Sequence, residues 1–177
     1  MTRDPAWGPV LQAARRGVLP LVRVGASPAS VAQSLDSRRP CYLATPYSRE
    51  VVDAQGIWDH HRSVQAMIGA ARAAADLLQV GVTAISPIVQ AAAMLHAKSA
   101  LVGQPDGGTR WIAGIDPLDA ALWQRWCAPL LAVSAAVVVP DLAGWDRSVG
   151  IWVEVRFALD HDIPVFVYGD SVGGGAK

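Results

Sequence analysis

The sequence predicts a single α/β domain built on a doubly wound parallel sheet, and three observations carry that prediction. Apolar runs that do not alternate with polar residues, Cys41–Ala44, Val82–Ile85, Ala135–Val139 and Pro164–Tyr168, mark strands buried on both faces. Stretches of helical composition separate them, giving the order β-α-β-α-β-α-β, which places helices on both sides of a parallel sheet. Three strand candidates stop at polar or proline residues, at Thr45-Pro46, Ser86-Pro87 and Pro140-Asp141. The expected architecture is a Rossmann-like or flavodoxin-like three-layer sandwich, and 177 residues are enough to bury one substantial core.

The elements follow in chain order. The first forty residues read as a separable N-terminal extension. A short helix is expected at Val10–Arg16, an extended piece at Pro20–Val24, and a second helix at Ser27–Leu35 with Ser27 as cap and Pro28 in the first turn. A polar turn, Asp36–Pro40, leads to the first buried strand. The polar loop Pro46–Asp59 precedes a helix at His61–Gln79, whose Val64, Met67, Ile68, Ala71, Ala75 and Leu78 recur at helical spacing. Gly81 is placed to end it. Further helices are expected at Ile88–Lys98, Leu118–Leu131 and Val149–Asp160, with Pro129 breaking or kinking the second of these. Gly103–Gly108 reads as a flexible loop, and residues 171–177 as a disordered tail.

Composition narrows the function. With 52% hydrophobic and 17% charged residues the chain is neither disordered nor fibrous. Lys plus Arg equals Asp plus Glu at 15 each, so no basic field exists to hold a nucleic-acid backbone, and a small molecule or another protein is the expected partner. Cys41 and Cys127 form no CxxC pair and read as buried thiols of a reducing compartment. Arg3, Asp4, Arg15 and Arg16 interrupt any signal-peptide core, and no apolar run reaches membrane-spanning length, so a cytoplasmic protein without a membrane partner is expected. No GxGxxG or Walker pattern is present, which argues against dinucleotide and NTPase chemistry.

Ligands of parallel α/β sheets bind beyond the carboxyl ends of the strands. Here those ends are Thr45–Arg49, Ser86–Val89 and Pro140–Ser148. In the helix after the third, Ile151, Val155, Ala158 and Leu159 form a buried stripe, and Glu154 falls toward its edge. An acid there is either a site residue or an ordinary partner of the helix dipole, and position alone leaves both open. Ser148 fits a helix cap as well as a ligand contact, and Gly150 fits close packing as well as close approach to a ligand. His60 and His61 are adjacent and diverge on a helix, with His96 far off in sequence, so a solvated helix start is favoured over a metal site and no metal is expected. Most of the seven tryptophans read as core or interface. Trp145 alone lies in the site loop, where its ring could stack on a ligand.

Tyr42-Leu-Ala-Thr-Pro-Tyr-Ser48, Ser86-Pro87-Ile88 and Gly144-Trp-Asp-Arg-Ser-Val-Gly150 with Glu154 four residues on together resemble the nucleoside 2-deoxyribosyltransferase-like superfamily, and within it the small bacterial DUF1937 type. The likeness spans residues 41–170. It implies cleavage or transfer at an N-glycosidic bond of a nucleoside or nucleoside 5′-monophosphate, with Glu154 as nucleophile, Tyr47 orienting it, and no cofactor. Ser48, Arg49, Ser86, Pro87, Asp141, Trp145, Asp146, Ser148 and Gly150 are the substrate-binding candidates. A serine at position 148 goes, by that likeness, with phosphate-bearing substrates. The likeness also implies a homo-oligomer. In one place the chain departs from it: where relatives carry an Asp for base protonation or sugar contact, this chain has Cys127. Asp116, Asp119, Asp141 and Asp146 are the acids that could substitute. The alternative expectation is a nucleotide-binding module of the same fold with weakened catalysis, and a third is a mainly structural oligomer subunit.

Overall fold

The computed structural model describes residues 5–35, 38–105 and 107–169. The expected tail and the first two residues of the turn at 36–40 lie outside them. Seven strands form. Five of them, β1 (Val22–Val24), β2 (Cys41–Leu43), β3 (Ala84–Ile85), β6 (Ala136–Val139) and β7 (Val165–Val167), make one sheet in the order β1-β7-β6-β2-β3. Every pairing in it is parallel. The three inner strands β2, β6 and β7 are short and fully buried, as non-alternating apolar runs require.

Helices cover both faces, and residue parity in the strands decides which face each side chain meets. Tyr42, Ala44, Val137, Val139, Val165 and Val167 pack with helices α1 (Trp7–Arg15), α5 (Ala120–Ala132) and α6 (Val149–Asp160). Cys41, Leu43, Ala136, Val138 and Phe166 face α2 (Pro28–Ser34) and α3 (His60–Gln79). A third cluster joins the loop after β2 to α4 (Pro87–Lys98) through Tyr47, Val51, Trp58, Ala92 and Leu95. The helix starts are locally encoded. The carboxylates of Asp59 and Asp119 and the hydroxyls of Ser27 and Ser148 each accept a backbone N–H of the first turn.

Three features depart from the sequence expectation. The N-terminal segment is built into the core: β1 pairs with β7 at the sheet edge, and Trp7 and Leu11 are buried in the same cluster as β6 and β7. A three-residue strand carries too little periodicity to announce this, and only the free edge of β7 recruits it. Second, α5 runs through Pro129 to Ala132, with the Val133 N–H still reaching the Pro129 carbonyl at 3.3 Å. So near the helix end, proline leaves the last turn intact. Third, the glycine-rich loop is the tip of an antiparallel hairpin, β4 (Ala100–Gly103) with β5 (Thr109–Ile112), separate from the main sheet. Leu101, Val102 and Ile112 on it are exposed. Among the described residues no helix is long and apolar enough to cross a membrane.

Candidate functional site

The chain passes from β2 outward to β3 and then returns across β2 to β6, so the strand order reverses between β2 and β6. A crevice opens at that switch point, where open α/β sheets hold their ligands. Here it is a cavity of about 490 Å³, bounded by the loop Thr45–Glu50, one side of α4, the linker before α5, one face of α5 and one side of α6. Its walls are mainly apolar, with Ile88, Leu95, Leu118, Trp123, Leu131 and Phe157 among them. Few polar groups interrupt them, as in small-molecule sites generally.

Glu154 lies in this wall, on α6, and its carboxylate accepts a hydrogen bond from the Tyr42 hydroxyl. Two structural facts bring these residues together. Helix α6 packs on the sheet face toward which even-numbered β2 residues point, and Glu154 sits beside its buried Ile151–Val155–Ala158 stripe. Burial raises the carboxyl from its ordinary 4.5 to about 7, and the Tyr42 hydroxyl acts in the opposite direction. Burial, reinforced by the Glu154 charge, drives the Tyr42 phenol far upward, so it stays a donor. Cys127 on α5 completes the group. Its thiol interacts with Tyr42, and burial lifts it to about 11.

The tyrosine that touches Glu154 is therefore Tyr42 and not Tyr47. Tyr47 lines the cavity, but its hydroxyl shares a 2.7 Å hydrogen bond with Ser63 and accepts one from the Trp58 indole at 3.3 Å. Burial raises its phenol, against the lowering effect of those two partners. Ser63 is in turn 2.9 Å from His96 Nε2. His96 packs against His60, with ring centroids 4.6 Å apart, and His60 stacks on Trp111 of β5 at 4.5 Å. Burial lowers both imidazoles, so each favours its neutral form. This relay ties the loop after β2 to α3, α4 and the hairpin, a role consistent with holding one rim of the cavity still. His96, distant in sequence, is thus a neighbour of His60 in space. Among the described residues no group of three or more His, Cys, Asp or Glu is arranged to hold a metal.

Of the other expected site residues, Ser48, Arg49, Pro87, Ser148 and Gly150 line the cavity. Ser48 and Arg49 are exposed at its mouth. Ser148 accepts the Ile151 N–H at 3.4 Å, so it caps α6 and faces the cavity at once. Ser86 lies beneath the cavity wall rather than in it, buried with its hydroxyl unpartnered. Asp141 is exposed and Asp146 half-buried, and neither borders the cavity. Trp145 is not a stacking platform. It is 2% exposed, edge-on to Trp7 with centroids 4.8 Å apart, because the short 3-10 turn Trp145–Arg147 turns it under α1.

Glu50, absent from the sequence-derived candidates, also lines the cavity and pairs with Arg147 at 3.9 Å across the mouth. Gly144 makes that approach possible. Its φ is +84°, which favours glycine, and a Cβ there would clash with the Glu50 carboxylate. The dense run of polar residues at Tyr47–Glu50 was the available signal for Glu50. Tyr42 had no local signal beyond its parity in β2, which does not say which face meets α6.

These features define a parallel three-layer α/β protein whose switch-point cavity presents one buried carboxylate held by a phenol. Residues 39–170 match the family described as Domain of unknown function (DUF1937). The chain belongs to that family. No curated protein and no solved structure matches it.

Proposed function

We propose that the cavity binds a nucleoside 5′-monophosphate or nucleoside and that Glu154 attacks the anomeric carbon of its N-glycosidic bond, leading to hydrolysis or transfer. The observation that carries this reading is Glu154 itself, in the wall of the switch-point cavity with Tyr42 bonded to its carboxylate. The resemblance to the nucleoside 2-deoxyribosyltransferase-like superfamily supports it from the sequence side.

The chemistry follows that of retaining glycosidases, in which a carboxylate stabilises an oxocarbenium-like transition state and then bonds to the sugar. A carboxyl near 7 is ionised in a large fraction of molecules at neutral pH. Tyr42 holds one of its oxygens, which limits the rotation of the group and leaves the other free to face the sugar. Ser148 and Arg49, with the N-terminal end of α6, supply the hydroxyl, cation and partial positive charge suited to a phosphate. The apolar walls then receive the base.

A second reading, a nucleotide-binding module with weakened catalysis, is favoured by Cys127, because a thiol protonates a departing base poorly. Incubation with a panel of nucleoside monophosphates and nucleosides, followed by chromatography for free base, separates the two. Base release that Glu154→Ala abolishes is the expected result. A ligand-induced rise in melting temperature without any base release, unchanged in Glu154→Ala, overturns the catalytic reading.

A further inference from the structure

We propose that this site serves N-glycosides whose leaving nitrogen already carries a positive charge, the class represented by pyridinium nucleotides. The inference rests on Glu154 acting as the nucleophile. It comes from what surrounds that residue.

When a C1′–N bond to a neutral purine or pyrimidine breaks, the electron pair makes the base an anion unless an acid protonates it. Among the described residues lining the cavity, the carboxyls are Glu50 and Glu154. Glu50 is engaged by Arg147 at the mouth. The group that α5 sets beside Tyr42 and Glu154 is the Cys127 thiol, which burial lifts to about 11 and makes a reluctant donor. Tyr47 is no better, since burial raises its phenol too. Asp116 and Asp119 are exposed and accept the backbone N–H groups of Leu118 and Leu122. The walls therefore offer a departing base no strong acid.

A pyridinium needs none. An oxygen of Glu154 bonds to the anomeric carbon as the C–N bond breaks, and the electron pair stays on the ring nitrogen. The pyridine leaves neutral. Water then attacks the same carbon, Glu154 departs as a carboxylate, and one proton is released to solvent. The walls also suit the charge. Among the described residues, what acts on Glu154 is burial and the Tyr42 phenol, with no cation among those influences. A cationic ring brought against it supplies that missing counter-charge and favours the ionised, nucleophilic form. Trp123 in the wall adds an aromatic surface of the kind that attracts cations.

The test uses the full chain with nicotinamide mononucleotide and, in parallel, adenosine and cytidine 5′-monophosphates, with released base quantified by chromatography. Nicotinamide release exceeding adenine or cytosine release by about 100-fold or more in kcat/KM is expected, the usual worth of a general acid that only the neutral bases need. Adenine or cytosine release as fast as nicotinamide release overturns the inference and leaves Glu154 as nucleophile standing. No base release from any of the three overturns both. Cys127→Asp, which installs an acid, should raise the ratio of adenine to nicotinamide release by about 10-fold or more. A folded Cys127→Asp protein with an unchanged ratio counts against the inference. If that variant does not fold, substituted pyridinium nucleotides decide the matter on the wild-type chain. Rates should climb as the leaving pyridine becomes less basic, and rates independent of its basicity overturn the proposal.

Discussion

Replacing Glu154 by Gln should stabilise the protein at alkaline pH and, on the proposed chemistry, abolish base release. The carboxyl stands at about 7 in the fold against an ordinary 4.5, with burial as the main cause. Between those two values the folded chain holds more protons than the unfolded one, so stability falls as pH rises through that interval. Below it both states are protonated and the cost vanishes. Above it the cost is complete, about 3 kcal/mol at about 1.4 kcal/mol per tenfold change in proton affinity. Gln keeps the size and an oxygen that accepts from Tyr42, but it has no charge to desolvate. Urea or thermal melts of both proteins at about pH 5 and about pH 8.5 check this. The advantage of Glu154→Gln should grow by about 2.5 kcal/mol between the two conditions, equivalent to about 5–10 °C in Tm for a domain of this size. A stability difference that is constant with pH, or that shrinks as pH rises, refutes the claim that the fold strains against an ionised Glu154.

Two further predictions concern its surroundings. Tyr42→Phe removes the donor that opposes the burial of Glu154, so the carboxyl should rise further and the acid limb of the kcat/KM profile should move to higher pH. Loss of a hydrogen bond to a charged group is worth about 1.5–3 kcal/mol, or about 10- to 100-fold in kcat/KM at neutral pH, and a profile that does not move shows that Tyr42 does not tune Glu154. Trp7→Ala should cost about 3–5 kcal/mol, because Trp7 is 1% exposed and packs edge-on to both Trp145 and Trp152; a loss under about 1 kcal/mol in urea melts would mean that α1 is dispensable to the core.

The strands that form the centre of the sheet were legible because their residues are apolar on both faces, a pattern that few alternatives satisfy. Val137 and Val138 point to opposite layers and are both fully buried. The edge strand Val22–Val24 was not legible as part of the sheet. It spans only three residues, buried, exposed and half-buried in turn, and what fixes it is pairing with Val165–Val167, some 140 positions along the chain. The hairpin escaped for a related reason. Ala100–Gly103 is exposed throughout, so neither face imposes an alternation of apolar and polar residues. Trp145 was misplaced because an aromatic in a ligand-side loop can point to the ligand or to the core, and only the arrival of Trp7 from the N-terminal helix settles which.

The exchange of Tyr47 for Tyr42 has the same origin and a sharper consequence. Strand β2 presents Tyr42 and Ala44 to one face and Cys41 and Leu43 to the other, so parity alone divides its residues into two sets. Parity does not say which set meets α6. That depends on the helix after β6 crossing to the face opposite α3, a property of the whole winding. Once the face is known, Tyr42 reaches Glu154 from within a fully buried strand, whereas Tyr47 belongs to a loop whose hydroxyl partners are Ser63 and Trp58. A carboxylate oriented from a rigid strand is held more tightly than one oriented from a loop, since a strand residue is fixed by the ladder on both sides. Ser48 and Arg49 stand exposed on the loop beyond β2, while the Glu154–Tyr42–Cys127 group lies where the sheet and α5 set it.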